Sequence, residues 1–547
     1  MSAPAQAQAH HEPTAAARST AAAVVLLVDS EPESTLNNDD EKLRALGLEI
    51  TPDGFLRWSP NCAQHPRNWP VFWKAYNATL VMFLDFFISA LGTVGAACSP
   101  DVQRQFGVGT TIVAVAFSSM YFCGQAIGNV IFPPYSESFG RKNLYLFSVA
   151  VLAIFNIIIP TVPSLAVIFV GRFVTGFASS IPSVVAAGAV EDMFDEKTRL
   201  WLVTLWLLIA NLSLAVGPIF AAYVAASAAG WKWIFYISTI ISATSFILLL
   251  FSRESRATQL LSRALRSSGR QDLRIENPDH VPDFSYFVRV ILFRPLVLLF
   301  TEPIVFITSV ISGTAFALVY LFTVVMPIIY TSYNFSSSAA SLAFVPIGIG
   351  FTLSLFTRIY DHRRARRYQV QGRGELSPED KLVGFAIAAP AFAIGLWWFA
   401  WTIPPAVKPH WIVSMLALVP VGFAINEYDC VLVGYLTDAY TTYASSAFAS
   451  LSFLRSVLSA VFPLFAHSLY RIGSNSATSI LAAVATIFCI SPYVMIRYGD
   501  KIRGASRFAR LSLEISENAR RAYETENNAS ANAGPELQII EKKRSEV

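Results

Sequence analysis

Charge is what this chain has least of. Only 14% of its 547 residues are Asp, Glu, Lys or Arg, against about 25% in a soluble protein. With 54% hydrophobic residues and a mean hydropathy of +0.49, a water-soluble globular fold is excluded and the chain reads as an integral membrane protein. Cysteine is sparse too. The count of five is odd, and Cys98, Cys123, Cys430 and Cys489 lie in or beside apolar runs, so they read as packing residues or reduced thiols and form no disulfide framework. The seven histidines scatter mostly through tails and loops, and no GxxxxGK[ST] phosphate loop occurs. Enzymatic chemistry, a metal centre, a bound cofactor and ATP drive therefore find no support. The net charge of +4 is small; it bears on membrane orientation and implies no nucleic acid.

What the chain has in abundance is apolar runs. Crossing a bilayer core of ~30 Å takes about 20 helical residues. Twelve runs reach or approach that length, six between Ala75 and Phe251 and six between Ile304 and Ile496. The run "AAAVVLLV" (Ala21 to Val28) is too short to span, and acidic sequence follows it where a signal peptide would be cleaved. The expected order is a disordered N-terminal tail (1–70), a six-helix bundle (71–252), a basic central loop (253–296), a second six-helix bundle (297–499) and a disordered C-terminal tail (500–547). Arg141 and Lys142, Lys197 and Arg199, the Arg-rich stretch from Arg253 to Arg294, and "RIYDHRRARR" (Arg358 to Arg367) follow even-numbered helices. The alternate loops hold only Arg104, Lys232, Lys408 and Arg471. By the positive-inside rule both tails and the central loop are cytoplasmic.

One stretch between two long apolar runs, "FPPYSESFGRKNLYLF", concentrates charge at Glu137, Arg141 and Lys142. Asp361, Arg363 and Arg364 follow the second helix of the other half in the same way. Together with the six-plus-six spacing, this echo argues for two similar bundles around a central cavity, a transporter plan.

Several segments then have a family likeness. "PPYSESFGRK" (Pro133 to Lys142) resembles the cytoplasmic signature of the major facilitator superfamily, "VGRFVTGF" (Val170 to Phe177) its fourth-helix Arg motif, and "LAVGPIFAAYV" (Leu214 to Val224) the Gly-Pro motif of proton-coupled antiporters. "HPRNWP", "LFTEPIV", "GYLTDAYTTYASSAFASLSFLRSV" and "FPLFA" are similar to fungal drug:proton antiporters with twelve spans. The resemblance implies an all-α membrane protein of two six-helix bundles. It also implies a cytoplasmic gate at Glu137, Gly140, Arg141 and Lys142, a role for Arg172 in proton transfer and cavity polarity, and a seal against proton leak at Gly217 and Pro218. The chain departs from the pattern at Pro133 and Glu137, where the signature has Gly and Asp, and at Ala221 and Ala222, where the Gly-Pro motif ends in paired glycines. Two readings of the charged stretch stand: Glu137, near a helix N-terminus with Arg141 beside it, holds a gate closed, or the two cations only fix topology.

Ionisable groups inside spans cost ~2.5–3.5 kcal/mol each on insertion scales. Asp85, mid-span in "VMFLDFFISALG", is expected to couple protons, with nearby Arg172 adjusting its proton affinity; a permanently protonated, hydrogen-bonded Asp85 is the alternative, as a structural hub is for Arg172. Glu427 and Asp429 in "GFAINEYDC" are two apart and point to different faces, and Glu427 is preferred for the cavity. Arg455 snorkels or pairs with a helix end. Tyr121, Phe122, Trp206, Tyr320 and Trp397 could bind a planar apolar substrate.

The expected activity is export of small amphipathic compounds (toxins, drugs or secondary metabolites) against inward proton movement. Its partners are that substrate, protons and the bilayer, and it acts as a monomer in the plasma or vacuolar membrane. Polyamine export, nutrient symport and a non-transporting receptor are the alternatives. Accessibility labelling checks the topology: both termini are expected inside, and Asn334 in "NFS" is the one loop sequon expected to lie outside as a glycan acceptor. A terminus labelled from outside overturns the assignment.

Overall fold

A computed structural model describes residues 62–268, 292–371, 377–407, 409–506 and 508–512, with short stretches at 43, 47–50, 55–59, 274–275 and 514–515. The expectation of disorder for residues 1–42 and 516–547 lies outside the described residues, as do residues 269–273 and 276–291 of the central loop. In hydrocarbon every backbone polar group must be satisfied within the segment, so apolar runs of this length become helices. Among the described residues, twelve helices are long and apolar enough to cross a membrane: α1 (Val71–Gly92), α2 (Thr110–Phe139), α3 (Lys142–Thr161), α4 (Leu165–Met193), α5 (Thr198–Ala226), α6 (Lys232–Phe251), α7 (Pro303–Thr331), α8 (Ser337–Tyr368), α9 (Glu379–Trp401), α10 (Trp411–Ala439), α11 (Thr441–Tyr470) and α12 (Ser474–Ala505).

The packing repeats with a shift of six helices. In the first half α1 packs on α5, α2 on α4, and α3 on α4 and α6; in the second α7 packs on α11, α8 on α10, and α9 on α10 and α12. The halves meet along two seams, α2 with α11 and α5 with α8, which exchange places under the same shift. Two similar bundles facing each other is the arrangement expected from the sequence.

Four segments extend beyond the sequence reading. α8 runs on to Tyr368, so the cluster around Asp361 lies on helix instead of in a loop: charges end an apolar run without ending a helix. α12 likewise continues past residue 500 to Ala505, and Ala257–Ser268 in the central loop is helical. The fourth belongs to a separate compact unit made from residues 1–64 and 261–276. There β1 (Leu48–Ile50), β2 (Phe55–Trp58) and β3 (Arg274–Ile275) form a sheet in that order. β1 and β2 are antiparallel, with Leu48 opposite Trp58, and β2 and β3 are parallel. Leu43, Leu48, Leu56 and Leu261 form its core. Strands of two to four residues are too short for a period-2 pattern to stand out, and the stretch read as a tail concealed them.

Close helix crossings rest on glycine. A Cβ on Gly124 would run into the Phe173 carbonyl oxygen and lie 2.7 Å from the Phe177 nitrogen, and one on Gly176 would strike the Tyr121 backbone; α2 and α4 therefore touch backbone to backbone. Gly124→Val is expected to lower stability by about 1–3 kcal/mol, as overpacking does, read as the unfolding midpoint in detergent. Gly109→Val, where a Cβ meets nothing within 4 Å, serves as the control and leaves the midpoint in place.

Candidate functional site

A cavity lies between the two halves, flanked by the seams. The space between its walls, open mouth included, is about 600 Å³. Both halves line it: Asp85 from α1, Tyr121, Phe122, Gln125 and Asn129 from α2, Trp206 and Asn211 from α5, Tyr320 from α7, Asp429 from α10 and Arg455 from α11. Of the residues expected at a cavity, Asp85, Tyr121, Trp206 and Tyr320 are brought together here, with Phe122. Trp397 is not; it is 38% exposed and donates to Thr486 Oγ1 at 3.0 Å.

Asp85 is 3% exposed. Its Oδ2 accepts from Trp206 Nε1 at 2.7 Å, while Oδ1 is buried with no hydrogen-bond partner among the described residues. The cation that shares the cavity with it is Arg455, not Arg172. Arg455 Nη2 forms an ion pair with Asp429 Oδ1, donates to Ser312 Oγ at 3.0 Å, and its guanidinium lies 4.5 Å from the Phe316 ring centroid. Asp429 Oδ2 accepts from Asn211 Nδ2 at 3.1 Å, and Asn211 also donates to Asn426 Oδ1 at 2.8 Å. One amide of the first half thus holds two residues of the second.

Arg172 stands behind the cavity wall. It is fully buried, and its guanidinium packs over the Tyr121 ring at 4.3 Å. Nε donates to the Phe117 carbonyl at 2.8 Å and Nη2 to the Leu91 carbonyl at 3.2 Å. Phe117 belongs to a π-helical turn, Val115–Ser119, a local rearrangement frequent at functional sites. Tyr121 thereby joins a cation to the cavity lining without admitting that cation to the cavity.

Glu427, the carboxylate preferred from sequence, points away. It is fully buried and bonds Arg358 Nη2 at 2.5 Å and Thr357 Oγ1; Arg358 also reaches Asp361 at 3.0 Å. The two-residue spacing did separate the pair onto different faces, and α8 decided which. By supplying Arg358, α8 draws Glu427 into its own half, and Asp429 is left to the cavity. Arg455 likewise neither snorkels nor caps a helix.

The charged stretch after α2 is held by partners the sequence did not single out. Arg141 is buried; its Nε lies 2.9 Å from Asp192 Oδ2 and Nη1 donates to the Val185 carbonyl at 3.0 Å. Glu254 accepts from the backbone nitrogens of Arg141 and Lys142 at 3.0 to 3.1 Å, and Lys142 Nζ donates to the Leu250 and Ser252 carbonyls. Glu137 sits at the C-terminal end of α2, not at a helix N-terminus, and its carbonyl accepts from Arg256 Nε at 3.3 Å. Gly140 has φ +93°, and a Cβ there would approach Glu254 Oε2 to 2.9 Å. Asp192 lies at the C-terminal end of α4 and Glu254 just after α6, and acidic residues at those helix ends were the available signal.

Gly217, on α5, lets that helix close on α1: a Cβ would meet the Ala90 Cα and carbonyl oxygen at 2.9 Å each, with Pro218 buried beside it. Asn334, between α7 and α8, is exposed with φ 64°. Across the α2–α11 seam Ser119 Oγ donates to the Ala460 carbonyl at 2.7 Å, and Asn129 Nδ2 to the Ser452 carbonyl at 3.0 Å and Ser456 Oγ at 3.1 Å. The Phe122 and Tyr320 rings meet edge-on at 4.5 Å.

Removing one partner of a buried ion pair strands the other charge. Arg455→Ala is expected to cost about 3–5 kcal/mol, measured by unfolding in detergent, and Asp429→Asn in the same chain recovers most of it.

The Major Facilitator Superfamily model matches residues 75–463. The chain is 28% identical to "Major facilitator superfamily multidrug transporter FLU1" of Candida albicans, over 82% of this chain and 75% of that one. It is 30% identical to "MFS-type efflux pump MFS2" of Trichophyton rubrum, over 85% and 78%, and 30% identical to "Efflux pump FUBT" of Fusarium oxysporum, over 78% and 72%. A repeat-paired set of twelve spans around a shared cavity, carrying this family match over most of its length, leaves one assignment: the chain is a membrane transporter belonging to the Major Facilitator Superfamily.

Proposed function

We propose that the chain exports small amphipathic compounds in exchange for protons by alternating access. The observation that carries the reading is the placement of Asp85, a carboxylate with one unsatisfied oxygen in an aromatic-walled cavity shared by both halves. A proton and a substrate competing for that neighbourhood give exchange without ATP. The names of the relatives, a multidrug transporter and two efflux pumps, agree with export. Arg172 acts on the site through Tyr121, and Arg455 supplies the cavity's cation. The Arg141–Asp192 pair, with Gly140, Lys142 and Glu254, serves as an inner gate within the first half. The Gly217–Ala90 contact limits proton leak between α1 and α5. The protein works as a single chain in the plasma membrane, with Asn334 outside.

Polyamine export, the other expectation, is less suited, because Asp429 is paired with Arg455 and Glu427 is turned away. The test is substrate accumulation by membrane vesicles under an imposed pH difference. Wild type is expected to concentrate an amphipathic dye, and Asp85→Asn, at normal abundance, to bind it while losing at least about ten-fold in pH-driven transport. Undiminished accumulation by the Asn variant makes Asp85 structural.

A further inference from the structure

We infer that Gln125 and Asn129 form a subsite of the central cavity for a neutral group that both donates and accepts a hydrogen bond, an amide joined to an aromatic ring, and that α11 orients this subsite through Ser456. The inference rests on the reading of the cavity as the cargo site. It goes beyond that reading to the chemical class of the cargo and to the residues that select it.

The wall supplied by α2 comes first. Phe122, Gln125 and Asn129 stand at i, i+3 and i+7, so one helix face carries all three, and all three line the cavity. Phe122 meets Tyr320 of the second half edge-on, with ring centroids 4.5 Å apart. An aromatic wall thus lies about one turn from two side-chain amides. This stripe holds no charge; Asp85, Asp429 and Arg455 reach the cavity from α1, α10 and α11.

The second half decides which way the two amides point. Asn129 Nδ2 donates to the Ser452 carbonyl at 3.0 Å and to Ser456 Oγ at 3.1 Å. A carbonyl only accepts, so the nitrogen is the end that faces α11. Both its hydrogens are then used. Oδ1 is buried and has no donor among the described residues, and Asn129 as a whole is 2% exposed. Ser456 Oγ gives its own hydrogen to Gln125 Oε1 at 3.3 Å. Gln125 therefore keeps its oxygen on α11 and has the hydrogens of Nε2 left to give. One turn apart, the stripe offers an acceptor at Asn129 and a donor at Gln125.

A buried acceptor without a donor costs free energy that an N–H group of a guest recovers. An amide supplies that N–H to Asn129 and a carbonyl to Gln125, while its aromatic ring packs on Phe122 and Tyr320. An ester of the same shape brings the carbonyl alone and leaves Asn129 Oδ1 unanswered. Sites built to hydrogen-bond a group reject analogues lacking it far more strongly than apolar pockets reject a missing methylene. The two amides are oriented only while α11 lies against α2, so this group is recognised while that seam is closed.

Equilibrium binding to the purified full-length protein in nanodiscs tests this with tritiated benzanilide and phenyl benzoate, an aryl amide and the ester of the same shape. Wild type is expected to bind the amide at least about ten-fold more tightly than the ester. Asn129→Leu should bring the two within about two-fold of each other and leave ester affinity in place, which shows that the cavity is intact. Ser456→Ala, which removes the hydroxyl that orients both amides, should reduce the preference, and Ser456→Thr should restore it. Equal affinities in wild type, or no binding of the amide, overturn the inference without any variant. So does a preference that survives in Asn129→Leu, and an unchanged preference in Ser456→Ala removes α11 from the subsite. Amide preference in a protein that accumulates no dye under a pH difference overturns the export reading and leaves this inference standing. Dye accumulation without amide preference does the reverse.

Discussion

A charge buried in hydrocarbon has to be answered from within the protein, and that requirement organises this molecule. Insertion of an ionised side chain costs several kcal/mol, and four basic residues occupy positions where another helix supplies the carboxylate. Arg141 meets Asp192, Arg358 meets Glu427, Arg455 meets Asp429, and Arg503 meets Glu379. Three of these lie toward the ends of spans and tie helices of one half to each other. The Arg455–Asp429 pair alone among the four lines the central cavity, where Asn211 of the other half also reaches it.

The same demand separates what holds each half from what joins the halves. Within a half, ion pairs and glycine-mediated backbone contacts dominate, as at Gly124, Gly176 and Gly217. Between the halves the first-half donors are neutral side chains, Ser119, Asn129 and Asn211, and of their acceptors named above only Asp429 is a carboxylate. Neutral hydrogen bonds contribute less than charged ones and cost less to exchange. Each half is thus built to persist while the contact between halves is built to be remade, which is what alternating access asks of two bundles.

The fold was legible because hydropathy and loop charge register every spanning helix with twenty or so residues of signal. The cavity was legible where a single unusual residue stands in an apolar run: Asp85 is the only charged residue between Ala75 and Ala97, and Trp206, Tyr121 and Tyr320 are large. Partners were not legible. Whether Glu427 or Asp429 enters the cavity depends on Arg358, which sits 69 positions earlier in sequence and is part of a helix whose charged end looked like a loop. Arg141 and Asp192 find each other through the rotation of α4, a quantity that no local pattern encodes. The strands at 48–58 and 274–275 depend on pairing between segments more than two hundred residues apart.

Tyr121 occupies an unusual place between two environments. One face of its ring lies against the guanidinium of Arg172, its hydroxyl donates to the Ile88 carbonyl at 2.8 Å, and its ring helps wall the cavity. Behind it, Arg172 grips the carbonyls of Phe117 and Leu91. Tyr121 and Arg172 together therefore tie the cavity wall to α1, α2 and α4 at once.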